Sequence, residues 1–275
     1  MDTRDALDPV LAGKFDILCE TINEFDNIAV AFSGGVDSTL LLKVAHDVLG
    51  DDVLAVTGKS PSIPRREIEE ASAFCEREHI RHSIVATHEF DIDGFDHNPP
   101  DRCYHCKREL MSRIRAEAMA HDIWTIAEGS NLDDEGDYRP GSRAVREMDV
   151  ISPLRAAGLT KEDVRTLARH LGLDAWNKPA YACLNTRFAY GDTITVERLS
   201  MVDAAESYIM GLGFRSVRVR MQDNTARIEV PEEDIERLTA PDSRRAVAGK
   251  LREIGFSYVS VDLQGYRTGS MNETL

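Results

Sequence analysis

Residues 27 to 33, NIAVAFS, form a short apolar run that breaks at Gly34 and Gly35, after which DSTLLLKVAHDVL repeats its apolar residues at helical spacing until Gly50 stops it. A strand feeding a helix through a glycine turn has few ways to bury both apolar surfaces. The pattern recurs: VLAVTG leads into a helix from about Pro64 to His79, HSIVAT into a helix near Lys107 to Ala120, and WTIAEGS supplies a fourth strand. Short apolar strands alternating with amphipathic helices predict an α/β fold, a doubly wound parallel sheet that binds its ligands beyond the carboxyl ends of its strands.

After Pro153 come one more helix, LTKEDVRTLARHLG, and a turn-rich loop, WNKPAYACLNTRFAYGD. A boundary near 190 divides the expected layout into residues 1–190, a nucleotide domain, and 191–275, a smaller C-terminal α+β domain. The second part reads as a helix from about Thr195 to Leu212, strands SVRVRMQ and ARIEV, further helix and a last strand SYVSVDL, in a ferredoxin-like manner. Residues after Gln264 are expected to fray.

At 275 residues and 42% apolar composition the chain can bury a sizeable core. It contains no uninterrupted apolar stretch of roughly 18 to 20 residues, and its acidic first residues lack a signal-peptide pattern, so a cytoplasmic protein without a membrane partner is expected. The net charge of −15 opposes long-range attraction to phosphate backbones, which favours a small-molecule partner over nucleic acid. Five cysteines, an odd number at uneven spacing, read as reactive or metal-binding thiols and not as a disulfide framework. Cys19 and Cys75 fall in apolar helical stretches and read as core.

Ser33, Gly34, Gly35, Asp37, Ser38 and Thr39 lie between the first strand and its helix. Glycines admit a phosphate close to the backbone, the hydroxyls of Ser33, Ser38 and Thr39 offer donors, and a helix N-terminus presents N–H groups to an anion. The lysine of a Walker loop and the dinucleotide glycine pattern are both missing. SGGVDS resembles the PP-loop of ATP pyrophosphatases, which hold the pyrophosphate of ATP and form adenylated intermediates, with the acid orienting Mg²⁺ or loop hydroxyls. Glu128-Gly129-Ser130-Asn131-Leu132-Asp133-Asp134, after the fourth strand, is similar to a second segment of that superfamily. There Gly129 and Asn131 would approach the nucleotide and the acids would lie near metal or substrate.

Cys103 and Cys106 form a C-x-x-C in a loop expected to begin at Asn98. Two thiols at this spacing bind one metal or cluster edge, and a structural zinc site would need a second pair that the chain lacks. Cys183, in PAYACLNTR, is the candidate third thiol. Three cysteines leave one iron of a [4Fe-4S] cluster open to an extra sulfide. Alternatively Cys183 itself, as a thiolate near Arg187 and Lys178, attacks an activated carboxylate to give a thioester.

AFSGGVDSTLLL, PPDRCYHCKRELM, EGSNLDD, PAYACLNTRF and VRVRMQDNTARIEV, taken in order, resemble the LarE family of ATP-dependent sulfur transferases over roughly residues 15 to 265. The resemblance implies ATP and Mg²⁺ as cofactors and a pyridinium-3,5-biscarboxylic acid mononucleotide substrate on the way to a nickel-pincer nucleotide. It also implies sulfur from a sacrificed cysteine or from a three-cysteine [4Fe-4S] cluster, the latter indicated here by Cys103 and Cys106 beside Cys183. By the same resemblance Arg218 and Arg220 hold the substrate phosphate, Arg187 assists that anion or the leaving AMP, Glu206 and Glu229 are acidic metal-site residues, and the enzyme is a homo-oligomer. The competing readings are a PP-loop tRNA thiolase, an amide-forming PP-loop ligase and a nucleotide-binding module without catalysis.

Overall fold

The computed structural model describes residues 7–135, 140–179 and 182–267. The chain falls into two compact units, one of Met1–Ser60, Glu67–Ile92 and Asp101–Tyr181, the other of Pro61–Arg66, Asp93–Pro100 and Ala182–Leu275.

In the first unit the helical stretch read around Cys19 is α1 (Pro9–Asn23), which starts with Pro at its head and with Asp8 accepting a 2.9 Å bond from the Val10 amide. This pairing suits a helix start, because proline has no amide to waste there and the carboxylate satisfies an orphan donor. Then follow β1 (Ile28–Ala31), α2 (Val36–Leu49), β2 (Val53–Lys59), α3 (Arg65–Arg77), β3 (Arg81–Ala86), α4 (Arg102–Ala120), β4 (Ile126–Ala127), α5 (Pro140–Glu147), α6 (Pro153–Ala156) and α7 (Lys161–His170). The four strands are all parallel and run in the order β3-β2-β1-β4.

Strand alternation divides the core. Ile28, Val30, Val53 and Ala55 face one cluster with Leu18, Ile22, Leu40, Leu41 and Leu167, supplied by α1, α2 and α7. Ala29, Leu54 and Val56 face the other, with Met111, Ile114 and Val145 from α4 and α5. Helices therefore cover both faces, as the doubly wound reading requires, and each fully buried Leu or Ile contributes roughly 1.5–3 kcal/mol. The order places β2 and β3 on one side of β1 and β4 on the other, so the crossover direction reverses between β1 and β4. A reversal of this kind opens a crevice at the carboxyl ends of those two strands.

Cys75 is buried in the first cluster, and burial pushes its thiol up to about 12. It is expected to resist iodoacetamide at pH 8 in the native protein and to react fully once the chain is unfolded, as peptide mass mapping would show.

The second unit carries α8 (Val196–Gly211), β5 (Arg218–Gln222), β6 (Thr225–Glu229), α9 (Glu232–Thr239), α10 (Pro241–Ile254) and β7 (Tyr258–Val261). β5 and β6 form an antiparallel hairpin turned at Asp223, in left-handed conformation at φ 50°, and β7 joins β6 in parallel. This three-stranded mixed sheet replaces the expected ferredoxin-like arrangement, because the last helices carry the chain back to pair β7 directly with β6. No helix among the described residues is long and apolar enough to cross a membrane.

Candidate active site

In the first unit the loop after β1 meets the segment after β4 at the reversal point. Gly34 turns the loop with φ 69°, a conformation that glycine adopts without a Cβ penalty. The hydroxyls organise the loop: the Ser33 amide donates to Ser38 Oγ at 3.3 Å, the two Oγ atoms lie 3.1 Å apart, the Gly35 amide donates to Ser33 Oγ at 3.4 Å, and Ser38 Oγ donates to the Gly35 carbonyl at 3.2 Å. Ser38 and Thr39 are buried, while Asp37 stands in the first turn of α2.

The second segment supports that helix start. Gly129 packs so closely on it that an added Cβ would sit 2.9 Å from the Ser38 nitrogen and 3.1 Å from the Asp37 carbonyl carbon. Asn131 Nδ2 donates to Asp37 Oδ1 at 3.0 Å. The acids of this segment are engaged locally, with Asp134 Oδ2 accepting from the Asn131 amide at 3.0 Å and Asp133 Oδ2 from the Lys161 amide at 2.7 Å.

Two lysines that the loop motif does not contain supply its positive charge. Lys161, first residue of α7, places Nζ on Asp37 Oδ2, held there by a capping box in which Thr160 accepts from the Asp163 amide and Asp163 from the Thr160 amide. Lys178 donates from Nζ to the Gly34 carbonyl at 3.0 Å and pairs with Glu70 at 2.6 Å. The sequence reading associated Lys178 with Cys183; the structure assigns it to the phosphate loop. Its position before Pro179 carries no local signal for that role. The lysine absent from the motif is thus replaced by cations brought back from α7 and the segment after it.

Cys103 and Cys106 sit in the opening turns of α4, not in a loop, because the helix begins at Arg102, with Asp101 at its N-cap after the prolines. Cys103 is exposed and Cys106 partly so, and none of the five cysteines is in a disulfide. The C-x-x-C spacing puts both thiols on one helical face.

In the second unit Cys183 precedes a 3₁₀ turn, Leu184–Arg187, whose Leu184 amide donates to the Ser62 carbonyl at 2.8 Å. Ala180 and Tyr181 of the same loop lie outside the described residues. Arg187 ties the turn together. Its Nη1 donates to the carbonyls of Ala182 and Cys183 at 2.9 and 3.2 Å and to Thr186 Oγ1 at 2.8 Å, while Nε and Nη2 grip the two oxygens of Glu206 at 2.8 and 3.0 Å. Both partners are 0% exposed. Burial raises the Glu206 carboxyl, but the Arg187 charge and bonds, with the Val219 amide, outweigh it and hold the group below the usual carboxylate range.

Arg220 Nε reaches both oxygens of Glu229 at 3.1 Å and its Nη1 donates to the Thr186 carbonyl at 2.5 Å. Arg218, also buried, donates to the Val217 carbonyl at 3.0 Å and lies 5.2 Å from the Tyr266 ring centre. Burial first, and then the neighbouring Arg187 charge, lower its pKa. Arg66 adds a fourth guanidinium, 3.4 Å from Asp203 and 3.5 Å from Glu206.

Glu206 and Glu229, expected as acidic metal-site residues, are each engaged by arginine, Glu206 by Arg187 and Glu229 by Arg220 and Arg227. Among the described residues no three His, Cys, Asp or Glu side chains come together to hold a metal. Cys103 and Cys106 belong to one unit and Cys183 to the other.

A parallel sheet that reverses at β1 and β4, with a glycine-hydroxyl loop at the reversal backed by lysines, defines an ATP-using enzyme of the PP-loop superfamily. No protein-family model matches the chain. It is 42% identical over 266 residues to an uncharacterized protein of Synechocystis, covering 97% of this chain and 99% of that one. It is 40% identical over 266 residues to the pyridinium-3,5-bisthiocarboxylic acid mononucleotide synthase of Lactiplantibacillus plantarum, covering 96% of each. Argininosuccinate synthase of Haloarcula marismortui is 30% identical over 161 residues, 53% of this chain and 37% of that enzyme. The chain belongs to the LarE family.

Proposed function

We propose that this enzyme transfers sulfur to a carboxylate of pyridinium-3,5-biscarboxylic acid mononucleotide, which it first activates with ATP, in the making of a nickel-pincer nucleotide. The observation that carries this reading is the end-to-end likeness to the Lactiplantibacillus synthase. The arginines of β5 support it, because Arg218 and Arg220 suit the bidentate grip of a substrate phosphate.

In this reading a substrate carboxylate oxygen attacks the α-phosphorus of ATP, and the bond to the β-phosphate oxygen breaks. Pyrophosphate leaves onto the amides and hydroxyls of Ser33 to Thr39, with Lys161 and Lys178 balancing its charge. Asp37, whose oxygens accept from Asn131 and Lys161, would hold Mg²⁺ together with phosphate oxygens once Lys161 turns to the pyrophosphate. The Cys183 sulfur then attacks the acyl adenylate, AMP leaves, and a thioester forms. Loss of the Cys183 α-proton with cleavage of its Cβ–S bond leaves a thiocarboxylate on the substrate and dehydroalanine on the chain.

Incubation with ATP and the pyridinium dicarboxylate should yield AMP, pyrophosphate and thiocarboxylate, followed by chromatography and mass spectrometry. Cys183→Ala should still release pyrophosphate and lose the thiocarboxylate altogether; ADP as the product, or no nucleotide breakdown, would overturn the reading.

The C-x-x-C at the head of α4 favours a second source of sulfur, a [4Fe-4S] cluster on Cys103, Cys106 and Cys183. About four irons per chain after anaerobic purification would establish it, and a colourless active preparation would remove it. A reducing cytoplasmic setting and a homo-oligomeric state complete the proposal, the latter tested by sedimentation.

A further inference from the structure

We propose that Lys107 is a positioning residue that ties the cysteine-bearing turn of α4 to the nucleotide loop, so that occupancy of the loop is felt at Cys103 and Cys106. The proposal rests on reading that loop as the ATP site.

Lys107 follows Cys106 and, four residues after Cys103, shares its helical face. Its Nζ lies 3.8 Å from Glu128 Oε2. Glu128 is 5% exposed and directly follows β4. Its other oxygen, Oε1, is occupied, accepting from Ser152 Oγ at 2.6 Å and from the Ser130 amide at 3.1 Å. Lys107 therefore meets a carboxylate whose position is fixed on its far side. The next residue, Gly129, abuts the Asp37 and Ser38 backbone, where an added Cβ would be 2.9 Å from Ser38 N. The stem of Lys107 is confined as well, because a Cβ built on Gly141 would lie 3.6 Å from Lys107 Cβ and 3.5 Å from the Cys103 carbonyl oxygen.

The path from phosphate loop to thiols is short and made of fixed parts: Ser38, Gly129, Glu128, Lys107, then the turn carrying Cys103 and Cys106. At 3.8 Å the ion pair is longer than a hydrogen bond, which leaves it room to tighten or slacken when an anion enters the loop.

Hydrogen exchange of the full reduced chain, with and without a non-hydrolysable ATP analogue, tests this. In the wild type the analogue should slow exchange in peptides covering 33–40 and also, by about fivefold or more, in those covering 101–110. Lys107→Met should keep the slowing at 33–40 and lose it at 101–110, and Lys107→Arg should restore it. Slowing at 101–110 that survives in Lys107→Met, or that is absent from the wild type although 33–40 is protected, would overturn the proposal. Absence of protection at 33–40 in the wild type would instead remove the ATP reading on which it rests.

Discussion

Replacing Arg187 by methionine is expected to destabilise the C-terminal unit by about 3–5 kcal/mol, because it strands a buried carboxylate without its cation. Glu206 is 0% exposed, and its remaining close partners are the Val219 amide at 2.9 Å and Arg66 at 3.5 Å. Thermal or urea unfolding would measure the loss, and the double variant Arg187→Met, Glu206→Met should lose less than the sum of the two single changes. The same pair fixes a pH dependence. Since folding holds Glu206 below its ordinary 4.5, its contribution is fully present above that value and disappears as pH falls through the lower folded value. Acid unfolding of the wild type should therefore begin below about pH 4.5 for this group, whereas Arg187→Met should show no stabilising contribution from Glu206 at neutral pH.

Gly129→Ala is the second large effect, and it falls on chemistry. The new methyl would meet backbone atoms of Asp37 and Ser38 at 3.1 and 2.9 Å, neither of which can turn aside as a side-chain end could. The start of α2 must shift, and a displacement of ångström size in a phosphate-gripping loop lowers turnover by about 10²-fold. Pyrophosphate release should fall by that order while the melting temperature moves little; an unimpaired rate would show that the contact yields.

The loop itself was legible in the sequence because its elements are contiguous. An apolar run, two glycines, three hydroxyls and a helix period all fall within Asn27 to Gly50, and the helix start they predict is the one observed. The match of EGSNLDD to the same edge was also legible, since β4 ends just before it.

What escaped was set by long-range packing. Lys161 and Lys178 reach Asp37 and Gly34 across 124 and 144 residues of chain, and the capping box around Thr160 announces a helix without saying what its first lysine will touch. The prolines before Cys103 signalled a loop, yet proline is equally at home just ahead of a helix, and α4 starts at Arg102. Glu229 is placed among the acidic metal-site residues by resemblance alone, and its hairpin register is not visible in the sequence. The register sets Glu229 opposite Arg218 and diagonal to Arg220, and an arginine neighbour makes the carboxylate an anchor for cations.

Pro61–Arg66 and Asp93–Pro100 are encoded within the first half of the chain but belong to the C-terminal unit. Asn98 donates to the carbonyls of Phe188 and Ala189 at 3.1 and 2.6 Å, the Ile194 amide to Asp96 at 2.7 Å, and the Leu184 amide to Ser62. A fragment beginning at Ala182 would leave those groups without partners, so the unit cannot be lifted out by a single cut. During synthesis the ribosome delivers two pieces of that unit early, and they must wait for the rest of the chain to emerge before they find their neighbours.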